Sequence, residues 1–162
     1  MIACRNQPDT FPAGSSTRVR RSGAALLEGT IVLGVFVTVI FILFDLGLAV
    51  MRQNTLAEAA RRLAREAIVH GERASPDRSV WGPAQATGNA GDGSEIATVL
   101  EAALVTLDPA EVTYELVWPD SDNRSGDRVS VTLEYPHRAI LPQVLGSGTL
   151  ALRSESTMHI ER

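Results

Sequence analysis

A run of 16 uncharged residues, residues 29–44, lies between Glu28 and Asp45 and constrains the fold of this 162-residue chain more than any other feature. As an α-helix the run is about 24 Å long, which is short of the roughly 30 Å hydrocarbon core of a bilayer. Extended over residues 24–51, the helix reaches about 42 Å and spans a bilayer if the two carboxylates lie near its edges. We therefore predict a single transmembrane helix over residues 24–51, with the lipid bilayer as a partner.

The charges on the two sides of this helix predict its orientation. Residues 1–23 carry four arginines and one aspartate, a balance of +3, whereas residues 72–162 carry seven arginines and 14 acidic residues, a balance of −7. By the positive-inside rule, Arg18, Arg20 and Arg21 keep the short N-terminus in the cytoplasm. The C-terminal region is then exported.

The helix is predicted to continue beyond the membrane as an amphipathic helix over residues 52–71. Strong helix formers dominate there, and an apolar stripe recurs at spacings of four and three residues. The stripe consists of Leu56, Ala60, Leu63 and Ala67. We expect this face to pack against the protein's own sheet. Residues 72–94, rich in Gly, Ser and Pro, predict a loop or linker.

Residues 95–162 change from a helical to a strand period. An amphipathic segment closed by Pro109 predicts a short second helix. Alternation over residues 112–118 and 128–135, followed by an extended segment over residues 149–160, predicts a small antiparallel sheet of about three strands. The predicted fold class is α+β: a long N-terminal helix, a short second helix and this sheet.

No pattern in the chain indicates catalysis or a cofactor. His70, His137 and His159 are scattered, with no carboxylate or cysteine at ligand spacing, so we expect no metal site. No nucleophile-elbow motif surrounds a serine, and the polar loop 120–127 matches a calcium loop only at its first two acids. The net charge of −4 offers no basic footprint for nucleic acid. We expect a protein that is not an enzyme and does not bind nucleic acid.

The start of the apolar helix carries a short motif. A pair of arginines precedes Gly23, an apolar helix begins at Ala24, and Glu28 is the fifth residue after the glycine. This pattern resembles the processing site of type IV prepilins and pseudopilins, whose peptidase cuts after a glycine on the cytoplasmic side. The resemblance implies a cytoplasmic leader over residues 1–23, Ala24 as the mature N-terminus and a prepilin peptidase as a partner.

The resemblance extends to the TadE-like family, membrane-anchored pseudopilins of the tight-adherence (Flp) pilus system. It rests on Gly-Ala-Ala-Leu-Leu-Glu at 23–28, Phe-Asp-Leu-Gly at 44–47 and Asn-Thr-Leu-Ala-Glu-Ala-Ala-Arg at 54–61. Gly29 and Gly34 depart from the family, where an aromatic residue and a proline are common. The resemblance implies a pilin-like fold, the bacterial inner membrane as location, and other pilins or pseudopilins and the inner-membrane assembly platform as partners.

We predict different environments for the two acidic residues at the ends of the apolar run. A carboxylate near the centre of a membrane helix costs about 2.5 kcal/mol or more and requires a partner. For Glu28 the resemblance implies the free amine of Ala24 on a neighbouring subunit, and the alternative is solvation at the headgroup boundary. For Asp45 we expect a position at the far membrane edge.

Two other interpretations of the N-terminal region stay open. In the first, residues 1 to about 49 are a removable signal peptide of a secreted soluble domain, since Gly47 and Ala49 satisfy a small-x-small cleavage rule. In the second, the protein is signal-anchored and unrelated to pilins, which fits the hydropathy but leaves Gly23 and Glu28 unexplained.

Overall fold

The computed structural model describes residues 18–140 and 148–161, so the predicted leader lies outside it as far as residue 17. The chain divides into two compact units, residues 1–39 and residues 40–162. Helix α1 spans Arg18–Ala67. The predicted long N-terminal helix is confirmed.

The segment Gly23–Ala67 of α1 is long and apolar enough to cross a membrane. In the first unit its apolar side chains are exposed on every side. Both threonine hydroxyl groups of residues 23–39 are bonded within the helix, because Thr30 Oγ1 donates to the carbonyl of Leu26 and Thr38 Oγ1 to that of Gly34, both at 2.8 Å. These bonds leave no hydroxyl group of residues 23–39 in need of water.

Two short helical elements follow in the second unit. Helix α2 spans Glu95–Glu101, and Ser94 caps it by accepting a hydrogen bond from the backbone N–H of Ala97 at 3.1 Å. A 3₁₀ turn spans Pro109–Glu111 and is capped by Asp108. The predicted second helix is confirmed. The residues between the two elements continue as turns.

The sheet has four antiparallel strands in the order β1-β2-β3-β4. Their bounds are Ala86–Asn89 for β1, Thr113–Val117 for β2, Arg128–Arg138 for β3 and Thr149–His159 for β4. Strands β3 and β4 pair over their full length, from Arg128 opposite His159 to Arg138 opposite Thr149.

The sheet contains one strand more than the three expected. Strand β1 lies inside residues 72–94, which the composition assigned to a loop or linker. The four residues of β1, Ala-Thr-Gly-Asn, show no apolar alternation, and they form a strand because β2 offers a pairing edge. Gly88 permits this pairing, since a Cβ at this position would collide with the Tyr114 hydroxyl.

The core lies between the second half of α1 and one face of the sheet. The apolar stripe of α1 that was predicted to pack against the sheet, Leu56 to Ala67, is fully buried. This prediction is confirmed. Alternate residues of β3 project toward the stripe, because successive strand side chains point to opposite faces. The buried core residues of α1 and β3 are Leu56, Ala59, Ala60, Leu63, Ala64, Ala67, Val129, Val131, Leu133 and Tyr135.

Two buried tryptophans cover the core beneath the segment of residues 72–94. Trp81 and Trp118 are both buried, and Gly82 lies against the Trp118 indole with a positive φ of 84°. A Cβ at Gly82 would overlap the indole ring. The segment between α1 and β1 is thus held in place through Trp81 and Gly82.

Substitution of Gly82 by alanine should therefore destabilise the domain through both backbone strain and overlap with Trp118. The matched control is Gly93→Ala, because Gly93 also has a positive φ, 74°, but a Cβ there meets no atom within 4 Å. We expect Gly93→Ala to cost about 1–2 kcal/mol of unfolding free energy and Gly82→Ala about 1–3 kcal/mol more. Denaturant unfolding of the detergent-solubilised chain, followed by tryptophan fluorescence, measures both. Equal losses in the two variants would contradict the packing assigned to Gly82.

Candidate functional site

The residues of the predicted processing motif all lie within α1. Arg18, Arg20 and Arg21 occupy its first turns, and Gly23, Ala24 and Glu28 follow in continuous helix. The last three are exposed. Among the described side chains, none forms a hydrogen bond or ion pair with Glu28.

Asp45 is in a different environment, because it is buried in the second unit. Its Oδ1 atom accepts a hydrogen bond from Nε2 of His137 at 3.2 Å, and the two side chains are only 5% and 2% exposed. On the other side of the ring, Nη1 of Arg52 lies 2.6 Å from His137 Nδ1. The Arg52 guanidinium also lies over the ring of Tyr135, with 5.7 Å to its centroid.

The hydrogen bonds of this Asp45–His137–Arg52 network determine which tautomer His137 adopts. A guanidinium has donors only, so Nδ1 of His137 must accept from Arg52. The hydrogen of the ring is then on Nε2, where it is donated to Asp45. This assignment makes the imidazole neutral, and it places one positive and one negative group on its two sides. Both ring nitrogens of His137 thereby have a partner.

The network forms because one face of α1 packs against one face of β3, and each face contributes polar residues at the same level. Asp45, Ala49 and Arg52 follow one another at spacings of four and three residues, so they share the helix face that continues into Leu56. His137 continues the buried alternation of β3 by one position beyond Tyr135. The sequence prediction ended this alternation at Tyr135 and so missed the site. The alternation could have indicated that His137 is buried, but it does not indicate the partner of this histidine.

The position of Asp45 at the membrane edge stays a prediction, and the structure adds that β3 covers its carboxylate. The carboxylate does not project into the surroundings of the helix, since the end of β3 covers it. A buried pair of this kind contributes little net stability, but removing one partner leaves an uncompensated buried group. The network therefore ties residue 45 of the helix to one register against the sheet.

A second polar cluster lies near the C-terminal end of α1. His70 stacks on Trp81 with ring centroids 4.1 Å apart, and its Nδ1 donates to the Ser79 carbonyl at 2.6 Å. Its Nε2 lies 3.5 Å from Glu66, one helical turn earlier, a spacing that the sequence interpretation overlooked. A hydrogen bond from the Ser79 hydroxyl, with a further one from the Trp81 indole, lowers the pKa of Glu95. These contacts fix the loop after α1.

The loop that resembled a calcium site is a salt-bridged turn. Both carboxylate oxygens of Asp120 accept hydrogen bonds from the Arg128 side chain, at 2.7 and 3.1 Å. These bonds, together with one from the Arg128 backbone N–H, lower the pKa of Asp120 to about 2. Across residues 18–140 and 148–161, no group of three or more His, Cys, Asp or Glu side chains is placed to hold a metal ion.

A comparison of the sequence with known protein families finds a match within helix α1. Residues 23–65 match the model of the TadE-like protein family. The predicted resemblance to the TadE-like family is thereby confirmed. The match begins at Gly23, the glycine of the predicted processing motif, and it covers under a third of the chain. The comparison with curated proteins and the comparison with solved structures found no match.

The matched segment contains two of the three residues of the buried network. Asp45 and Arg52 lie inside the matched residues, whereas His137 lies 72 residues beyond their end. The TadE-like helix thus brings two members of the network, and the sheet that follows it brings the third. With its apolar helix, the TadE-like segment fits a membrane-anchored protein associated with a tight-adherence pilus.

Removal of His137 should destabilise the domain, because it leaves the Asp45 carboxylate buried against an apolar surface. We expect His137→Leu to cost about 3–5 kcal/mol of unfolding free energy, and the double variant Asp45→Leu/His137→Leu to recover most of that loss. His159→Leu is the control, since this exposed histidine should cost about 1 kcal/mol or less. Denaturant unfolding in detergent micelles measures all three. Additive losses from the two network substitutions would contradict the pairing.

Proposed function

We propose that this protein is a pseudopilin-like component of tight-adherence (Flp) pilus assembly and secretion, anchored in the bacterial inner membrane. The observation that carries the proposal is the TadE-like match over residues 23–65, which starts at the residue of the predicted cut. The role is structural, and no catalytic activity is assigned. Its partners are the lipid bilayer, a prepilin peptidase, other pilins or pseudopilins and the inner-membrane assembly platform.

The first step of this proposal is cleavage by the prepilin peptidase after Gly23. Arg18, Arg20 and Arg21 precede the cut and hold it on the cytoplasmic side under the positive-inside rule. Cleavage removes a leader with a balance of +3 and leaves a chain that begins with Ala24. The C-terminal domain is then on the periplasmic side. The exposure of Gly23 and Ala24 is consistent with access by the peptidase.

The second step is a contact between subunits. Glu28 is exposed on α1, within an apolar surface, and no described side chain of its own chain pairs with it. A carboxylate in such a position favours a cationic partner. The free amine of Ala24 on a neighbouring subunit is such a partner, and it exists only after cleavage. Removal of the leader would thereby permit assembly.

The position of Asp45 favours an anchor over a removable signal peptide. A cut after Ala49 would separate Asp45 from the domain and leave His137 buried with Arg52 alone. A domain that is secreted after such a cut would therefore lose one end of a buried network. Retention of the whole helix keeps the network complete.

Substitution of Gly23 should block maturation without disturbing the helix. A Cβ at Gly23 meets no atom within 4 Å, and the same holds for Gly29, which supplies the matched control. We expect Gly23→Ala to retain its leader, whereas Gly29→Ala and the unmodified chain begin at Ala24. N-terminal sequencing of the membrane fraction measures this. A Gly23→Ala chain that still begins at Ala24 would refute the assigned cut, and a start near Val50 would support the secreted alternative.

Substitution of Glu28 should separate maturation from assembly. We expect Glu28→Gln to be cleaved after Gly23 but to lose cross-linking to neighbouring pilins, because the amine of Ala24 no longer meets a charge. The control is Glu58→Gln, since Glu58 is exposed and pairs with Arg61 and Arg65 of its own helix. In-cell cross-linking followed by immunoblotting measures assembly. Unchanged cross-linking in Glu28→Gln would contradict the contact between Glu28 and Ala24. It would support the alternative, in which Glu28 is solvated at the headgroup boundary.

A further inference from the structure

Two exposed apolar residues mark the end of the sheet that carries the buried network. Leu150 is 50% exposed and stands directly opposite His137 in the β3–β4 register. Ile140 is 48% exposed and follows the end of β3. A backbone hydrogen bond of 3.0 Å from Ala139 to Gly148 ties the two strand ends together. Both apolar side chains therefore lie at the level of Asp45.

The helix presents apolar side chains at the same level. Asp45 and Ala49 are covered by the sheet, whereas Leu46, Val50 and Met51 are exposed. The helix and the sheet end thus form one apolar rim, which consists of Ile140, Leu150, Leu46, Val50 and Met51.

The length of the apolar run indicates what covers this rim. A hydrocarbon core of roughly 30 Å needs about 20 helical residues, four more than the uncharged run provides. If the cytoplasmic edge lies at Glu28, the far edge of the core falls about one turn past Asp45. That level contains the apolar rim. The bilayer that accommodates the helix is therefore also adjacent to the end of the sheet.

We propose that the apolar rim rests in the interfacial layer of the bilayer that α1 spans. The proposal depends on the membrane anchoring stated under the proposed function. It explains why Ile140 and Leu150 are exposed at this end, where water would disfavour them. It also explains why Asp45 is capped by His137, since the sheet end shields this carboxylate from lipid. The exported domain then sits directly on the membrane and not on a free stalk.

One charged pair at the same end fits this location. The Arg138 guanidinium, in the last residue of β3, donates to Glu111 at 2.7 Å and is largely exposed. Exposed arginines at a membrane surface interact with anionic headgroups while their side-chain stems lie along apolar groups. A polar group immediately outside an apolar rim is the order expected across a bilayer interface.

The test uses single-cysteine variants of the full chain in a Cys4→Ser background, reconstituted in vesicles of phosphatidylethanolamine and phosphatidylglycerol. Ile140→Cys and Leu150→Cys carry an environment-sensitive fluorophore at the rim. Val80→Cys is the matched control, because Val80 is an exposed apolar residue at the other end of the domain. It precedes Trp81, whose backbone N–H donates to the carbonyl of His70 just after α1. Leu33→Cys reports on insertion of the anchor itself.

We expect blue-shifted emission at positions 140 and 150, and loss of that emission in vesicles whose acyl chains are brominated near the glycerol. The label at position 80 should show neither effect. Quenching at position 33 without quenching at 140 and 150 would overturn the proposal and leave the anchor intact. A blue shift that bromine does not quench would mean that a second protein copy covers the rim, which also overturns it. No quenching at position 33 would contradict the membrane anchor, and with it the proposed function.

Discussion

The hydrogen bond between Asp45 and His137 joins helix α1 to strand β3. It lies where the surface of α1 changes from apolar on all sides to amphipathic. Between Glu28 and Asp45, α1 is free of charged residues, as is typical of a helix surrounded by lipid. Toward its C-terminus, one face of the same helix packs on a sheet and the other carries charges. The aspartate lies at this change of environment. Its burial is tolerated because His137 donates to it and Arg52 holds the other ring nitrogen.

This arrangement links the position of the sheet to the position of α1 around Asp45. The sheet cannot slide along α1 without separating Asp45 from His137, and rotation of the helix would bury Glu58 or Arg61 in place of Leu56 and Leu63. The contact thus fixes the register of α1 against the sheet at Asp45.

Sequence periodicity predicted most of the fold, and it failed in two identifiable places. The stripe of Leu56, Ala60, Leu63 and Ala67 predicted the packing face of α1 because burial of that face follows directly from the helical period. Strand β1 escaped prediction because its four residues carry no alternation, and pairing with β2 alone makes them a strand. The Asp45–His137 pair escaped because its members are 92 residues apart, and no local pattern records a contact of that separation.

The amino-acid sequence by itself determined the membrane-length apolar helix, the motif around Gly23 and Glu28, and the α+β class, because each of these depends on local composition and on periods of two or 3.6 residues. Only the tertiary structure decided that Asp45 is an interior residue, that His137 is its partner and that Arg52 selects the ring tautomer. The physical reason is that a buried polar group takes its partners from whichever element the fold places beside it. That placement depends on how the helix and the sheet pack against each other, since no local pattern specifies it.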